Sequence, residues 1–304
     1  MGQGSFAPAV GQIGTTAMHK DSNTFVAWAT DCSVRRGFQQ IDSPSLGKAS
    51  QGDSSDAFGR ADGVVVSLGD GGEAILNLYQ VIFNGPGPDF AVFENGFSAT
   101  FLELAFVEVS SNGVDYFRFP AVTETQDTNQ IGTFGAVDAT EIYNLAGKYQ
   151  VNYGTPFDLS ELPDTSLLNK FAITHIRIID VVGNINEPFS TKDSSGKVIN
   201  DPWPTPFASS GFDLDAVGLI HVNGINTLKE EVENELTIYP NPVQNVLNIK
   251  IDSPIESIQC IDISGKTTFF SVSNEIDVRN LPSGIYIVRI TTKNQTYVRK
   301  VVKK

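Results

Sequence analysis

Along the first 225 positions, apolar residues fall in short runs broken by Gly, Pro, Asn and Asp. The runs "DGVVVSLG", "GEAILNLYQVIFN", "DFAVFENG", "LELAFVEVSSNG", "ITHIRIIDVVG" and "FDLDAVGLIHVNG" each predict a strand. Alternation is cleanest in "FVEVSSNGVDYFRF", where Phe106, Glu108 and Ser110 share one parity and Val107 and Val109 the other. Asn112-Gly113 then supplies the positive-φ residues of a tight hairpin turn. Helical periodicity is scarce; "DLSELPDTSLLNKFA" predicts one short helix capped by Asp158 or Ser160. Many short strands with almost no helix predict an all-β domain over residues 3–223, a jelly-roll β-sandwich.

The chain then starts again. "KEEVENEL" has little to bury and reads either as a solvated linker, placed at 224–234, or as a helical turn with a Thr227/Glu230 capping box. After it, the prolines of "YPNPVQNVLNIKI" disfavour helix and fix an irregular entry into a strand. "CIDISGK" and "LPSGIYIVRITTKNQTYVRKVVKK" add further strands and a hairpin. Residues 235–304 therefore predict a small C-terminal Ig-like β-sandwich.

Charge separates the two parts. The net charge is −14, but residues up to 225 hold 11 Lys and Arg against 26 Asp and Glu, while the rest holds 10 against 9. So acidic a front part is a poor binder of nucleic acid or anionic membrane and suits cations or uncharged ligands. No apolar run is long enough to span a bilayer as a helix. "MGQGSFAPAV" has neither a basic start nor an apolar core, which fits a cytosolic protein or a mature form without its signal peptide. Cys32 and Cys260, far apart in sequence, read as two buried thiols rather than a disulfide.

"LTIYPNPVQNVLNI", "IDISGK", "NLPSGIYIVRI" and the final "VRKVVKK" resemble the type A C-terminal sorting domain of the type IX secretion system, found in Bacteroidetes. The resemblance marks Tyr239, Pro240, Asn241, Pro242, Gly284, Tyr286, Lys303 and Lys304 as signal residues. It implies export by a removed signal peptide, then passage through the outer membrane by that machinery. A sorting peptidase would cut the linker, leaving the cargo secreted or anchored at the cell surface.

Enzyme templates mostly fail in the front part: there is no His-Glu-x-x-His, no Gly-x-Ser-x-Gly and no phosphate loop. His19, His175 and His221 read as structural, and Cys32 lacks a reactive setting. The acids offer more. Asp89 and Glu94 flank a strand in "GPGPDFAVFENGF", and Asp213 and Asp215 share one face of "GFDLDAVGLI", with Phe212 and Leu214 on the other. Like charges so close need a cation or donors between them, and hard oxygen ligands suit a structural calcium. The alternatives are capping by backbone N–H groups, pairing with an arginine such as Arg177, and a catalytic carboxylate pair such as Glu94 with Asp215.

"FVEVSSNGVDYFRFP", "HIRIIDVVG" and "GFDLDAVGLI" also resemble strands of discoidin or galactose-binding-like jelly rolls. The whole front part resembles an uncharacterised group of bacterial secreted cell-surface proteins, through "GPGPDFAVFEN" and "DPWPTPFASSGFDLDAVG". In the galactose-binding-like folds an acid of the last strand often helps to hold calcium, which would map to Asp213 or Asp215. "NDPWPTPFASSG" carries Trp203 and Phe207 on a Pro-stiffened loop, either a stacking platform for a ligand or a loop pinned by Trp203. Asn95 and Asp201 are the polar candidates beside it, and Trp28 reads as core. These readings combine into an exported, non-enzymatic binding protein for a glycan or for a nutrient passed to an outer-membrane transporter. The rivals are a glycan-active enzyme and an adhesive surface protein.

Overall fold

The computed structural model describes residues 4–223, 236–251, 253–262, 267–292 and 296–304. The chain divides into two compact units, Met1–Ile225 and Asn226–Lys304. The linker at 224–234 and the Thr227/Glu230 capping box lie outside the described residues. Both units are β-structured, as the alternation predicts.

In the first unit one sheet contains β1 (Met18–His19), β2 (Ala27–Trp28), β4 (Val66–Ser67), β6 (Phe90–Glu94), β11 (Tyr153–Phe157) and β13 (Asp213–Leu219). Its order is β1-β11-β6-β13-β2, with β4 also on β13. The other contains β3 (Cys32–Arg35), β5 (Glu73–Ile82), β7 (Ala105–Ser110), β8 (Phe117–Arg118), β12 (Ile173–Asp180) and β14 (Val222–Asn223). Its order is β14-β5-β12-β7-β8, with β3 on β5. Strands β9 (Val122–Thr123) and β10 (Ile142–Tyr143) form a separate pair. All described pairings in both large sheets are antiparallel.

Period-two alternation sorts β6: Phe90 and Val92 join the central core, Ala91 and Phe93 an outer cluster with Trp28. Leu76 of β5, Val107 and Val109 of β7, Ile176 and Ile178 of β12, and Phe212 and Leu214 meet them in the central core. A third cluster, with Leu102, Leu104, Leu145 and Ile199, packs around Phe106 of β7. Hence β6, β7 and β13 are buried along their whole lengths. Polar side chains at their ends are buried too and must find partners.

The chain does turn at Asn112-Gly113, but through a wider loop than the tight hairpin expected: the last pair before it is Val109 with Phe117, and of the two residues Gly113 alone takes a positive φ. Gly113 has φ +75, and Asn112 Oδ1 accepts the Val114 and Asp115 N–H groups at 2.9 Å each. The predicted helix after Asp158 shortens to a 3₁₀ turn, Leu159–Glu161, capped by Asp158 on the Ser160 N–H at 2.8 Å. Pro163 follows directly and cannot donate to a continuing helix. Both cysteines are free and buried, and burial pushes the Cys32 thiol up to about 12, leaving it inert.

The second unit has two antiparallel sheets. One is β15 (Leu236–Tyr239), β16 (Val246–Ile251) and β19 (Glu275–Asp277), in that order. The other runs β18 (Thr267–Ser271), β17 (Ile255–Asp262), β20 (Gly284–Thr292), β21 (Thr296–Lys303). Leu247, Ile249, Ile258, Cys260, Ile276 and Val288 fill the core between them.

Candidate functional site

Three buried acids meet at one end of the first unit's sandwich. Glu94 ends β6, Asp213 begins β13, and Glu103 lies in the segment joining β6 to β7. One carboxylate oxygen from each lies within 4.8 Å of the others. Asp213 accepts from the Ser67 hydroxyl, and Glu94 Oε2 accepts the Gly96 N–H at 2.7 Å. A Cβ on Gly96 would stand 2.7 Å from that same oxygen, so only glycine lets the backbone approach. The Asn95 amide lies against both acids; with nitrogen inward it donates to Glu94 Oε1 at 3.0 Å and Asp213 Oδ2 at 3.3 Å. Glu103 accepts no hydrogen bond from any described residue.

Burial sets the electrostatics. It pushes Glu94 and Glu103 well above the carboxylate range, reinforced in both by the Asp213 charge. Asp213 rises to about 7, again by burial, with Ser67, Asn95 and Arg36 opposing. Glu108 shows the contrasting arrangement, for its Oε1 takes the Arg118 Nε at 2.8 Å and its Oε2 the Arg177 Nε at 2.7 Å. No guanidinium of a described residue pairs with the triad in this way; Arg36 acts on Asp213 only through its charge.

Above the acids opens a cleft of about 260 Å³, lined by Asn95, Phe97, Phe101, Glu103, Phe134, Phe207 and Asp213 among others. Four phenylalanines form its wall in a continuous row. Phe97 stacks on Phe101 at 4.5 Å, Phe101 meets Phe134 at 6.1 Å, and Phe134 stacks on Phe207 at 6.1 Å. Phe97 is 69% exposed, Phe134 72% and Phe207 43%, so the wall presents aromatic surface to solvent. The arrangement can take a flat or apolar face on the wall and a polar or cationic group on the acids.

Sequence-predicted residues divide cleanly here. Asp213, Asn95 and Phe207 line the cleft, and Glu94 meets Asp213 behind its lining. Asp215 does not join them, because a bulge between Leu214 and Ala216 breaks the alternation. Its oxygens instead accept the Asp62 and Gly63 N–H groups at 3.1 Å each. Asp89 belongs to another network, accepting from Gly85 N at 2.7 Å and Leu159 N at 2.8 Å and paired with His221 Nδ1 at 2.7 Å. Trp203 is buried, its indole N–H donating to Asp70 Oδ2 at 3.0 Å, so it pins the loop rather than offering a platform. Asp201, also buried, accepts the Leu104 N–H at 3.0 Å and fastens the segment that carries Glu103.

Glu103, Phe97, Phe101 and Phe134 are the residues that sequence reading missed. Glu103 had a signal: it is the single charge in "TFLELAFV", a run otherwise fit for a core.

In the second unit, Asn241 braces the terminal strand. Its Nδ2 donates to Lys300 O and its Oδ1 accepts from Val302 N, both at 2.9 Å. Tyr239 ends β15, Pro240 and Pro242 flank Asn241, Gly284 and Lys303 pair across β20 and β21, and Tyr286 donates to Pro282 O at 2.8 Å. The Lys304 N–H closes the turn on Val243 O at 2.9 Å. Asn241→Ala is expected to cost about 1–3 kcal/mol, the net worth of two hydrogen bonds. Faster amide exchange at Val302 would show it; unchanged protection would contradict it.

An all-β first unit is thus followed by a small β unit with a strapped terminal strand. Residues 237–304 match the secretion system C-terminal sorting domain, and the second unit is a sorting domain of the type IX class. It directs the chain to export, for release or display at the outer-membrane surface. No curated protein matches the chain. Among solved structures, a Faecalibacterium prausnitzii beta-glucuronidase is similar at 14% identity over 94% of this chain and 46% of that one, with TM-score 0.21. A Ruminococcus gnavus b-glucuronidase in complex with uronic deoxynojirimycin gives 12% identity, 93% and 46% coverage, and TM-score 0.22. The chain thus spans about half the length of these structures, and a likeness this low carries no weight for its chemistry.

Proposed function

We propose that this is an exported binding protein whose first unit takes a sugar-containing ligand in the aromatic cleft. One observation carries the reading: three exposed rings, Phe97, Phe134 and Phe207, joined through Phe101 by two stacked contacts and one tilted contact, stand beside buried polar groups at a formed cleft. Exposed aromatics at one cleft mark an interaction site, and flat rings suit the apolar faces of pyranoses. The sorting unit supports the reading by directing the chain outside the cell, where such a ligand would be reached.

Affinity electrophoresis of the full chain in gels containing polysaccharides tests this. At least one polysaccharide should retard it, and Phe134→Ala with Phe207→Ala should weaken retention tenfold or more, about 1.4 kcal/mol or above. Retention equal in both proteins would move the ligand site elsewhere. Release of reducing sugar, lost in Glu94→Gln, would replace binding by catalysis.

A further inference from the structure

We propose that Glu94, Glu103 and Asp213 hold an exchangeable calcium ion in the floor of the cleft, its open side turned to the phenylalanine wall. The spacing fits a single small ion. Calcium binds oxygens at about 2.3–2.6 Å, so two ligands on opposite sides of it stand at most roughly 5 Å apart. The three carboxylate oxygens lie within 4.8 Å of one another.

Glu103 is the independent witness. It is 9% exposed, faces the cleft, and meets no donor among the described residues. A buried carboxylate without a partner is costly, and it stays only where something answers it. Every other buried acid nearby is already answered. Asp180 accepts the Phe212 N–H at 2.8 Å and the Gly71 N–H at 3.0 Å. Asp70 holds Ile41 N at 2.9 Å and Trp203 Nε1 at 3.0 Å, while Asp201 and Asp215 hold backbone N–H groups as described. Among the described buried acids nearby, the missing donor is therefore specific to the triad.

Asn95 fits the same site. Turned with its oxygen inward, its amide adds a neutral ligand at a position 3.0 Å from Glu94 Oε1 and 3.3 Å from Asp213 Oδ2. Glu103 and Asp213 line the cleft and Glu94 does not, so the ion's remaining positions open towards it. Water fills them, and ligand hydroxyls can replace that water. This deepens the reading of the cleft as the binding site.

Both tryptophans, Trp28 and Trp203, lie in the first unit, so tryptophan fluorescence reports its melting within the full chain. Calcium titrated into EDTA-stripped protein should give a saturable heat of binding. At about 100 times its dissociation constant the ion should raise the first unit's Tm by about 5–10 °C. Glu103→Gln, which loses no hydrogen bond, and Asp213→Asn should abolish both effects, while Asp215→Asn keeps them. No heat and no shift in the wild type, or a shift undiminished in Glu103→Gln, would overturn the site. Polysaccharide retention that survives EDTA would leave the cleft reading standing while removing the ion from ligand contact.

Discussion

Deletion of residues 235–304 is expected to abolish appearance of the chain at the cell surface and in the medium, and to hold it in the periplasm. The deletion removes the whole matched sorting domain, a unit held together by its last strand. Strand β21 pairs with β20 along its whole length, from Gly284 with Lys303 to Thr291 with Thr296. Val243 N and Lys304 N add further bonds, to Val302 O at 2.8 Å and Val243 O at 2.9 Å. Losing this strand exposes one edge of the sheet and uncovers Val288 and Ile290 in the core. The first unit has its own core and should stay folded after truncation. Cell fractionation with immunoblotting checks it. Normal amounts of the truncated chain outside the cell would contradict the sorting assignment.

Melting of the first unit in EDTA should respond to pH in the opposite sense to most acidic domains. Burial raises Asp213 to about 7 in the folded state, against about 3.9 unfolded. Between those values the folded chain keeps a proton that the unfolded chain has released, so stability falls as pH rises. Below the unfolded value the contribution is fully present; above the folded value it is gone. The effect of this group alone is on the order of a few kcal/mol. Glu94, Glu103, Asp180 and Asp201 are raised in the same direction, also chiefly by burial. We expect the tryptophan-detected Tm to drop by on the order of 10 °C between pH 5 and pH 8. A Tm that is flat or rises over that range would mean the acids are better solvated than their burial indicates.

Strand positions were legible because buried β-structure leaves a period of two, as Phe90 and Val92 against Ala91 and Phe93 show. Local turn chemistry was legible in part: Gly113 takes its positive φ although Asn112 does not, and Asp158 caps a turn although no longer helix follows. The sorting signature was legible for a physical reason. In "YPNPV" the asparagine needs both its amide atoms to brace the last strand, and the prolines fix the entry that positions it.

The site was only half legible. Glu94 and Asp213 stand at strand ends where alternation points to them. Asp215 misled because strict alternation assumes no bulge, and bulges leave little trace in sequence. Trp203 misled because a Pro-rich loop looks exposed, whereas its indole is tied to Asp70, more than a hundred residues away. The cleft's wall unites Phe97, Phe101, Phe134 and Phe207 from separate loops, a gathering that periodicity does not encode. Acidity too reads differently in three dimensions. Ten of the first unit's acids are buried, among them Asp70, Asp89, Asp180, Asp193 and Asp201, which clamp loop backbone.

If the sorting unit carries a sugar-binding aromatic cleft outside the cell, place and site can be read in one experiment. Binding of a labelled polysaccharide, one that retards the purified chain, to intact cells producing it tests both at once. The account predicts saturable labelling of cells with the wild-type chain, and loss of that labelling both for the Phe134→Ala, Phe207→Ala double variant and for the chain truncated at 235. Labelling that persists in the double variant at wild-type levels would contradict it.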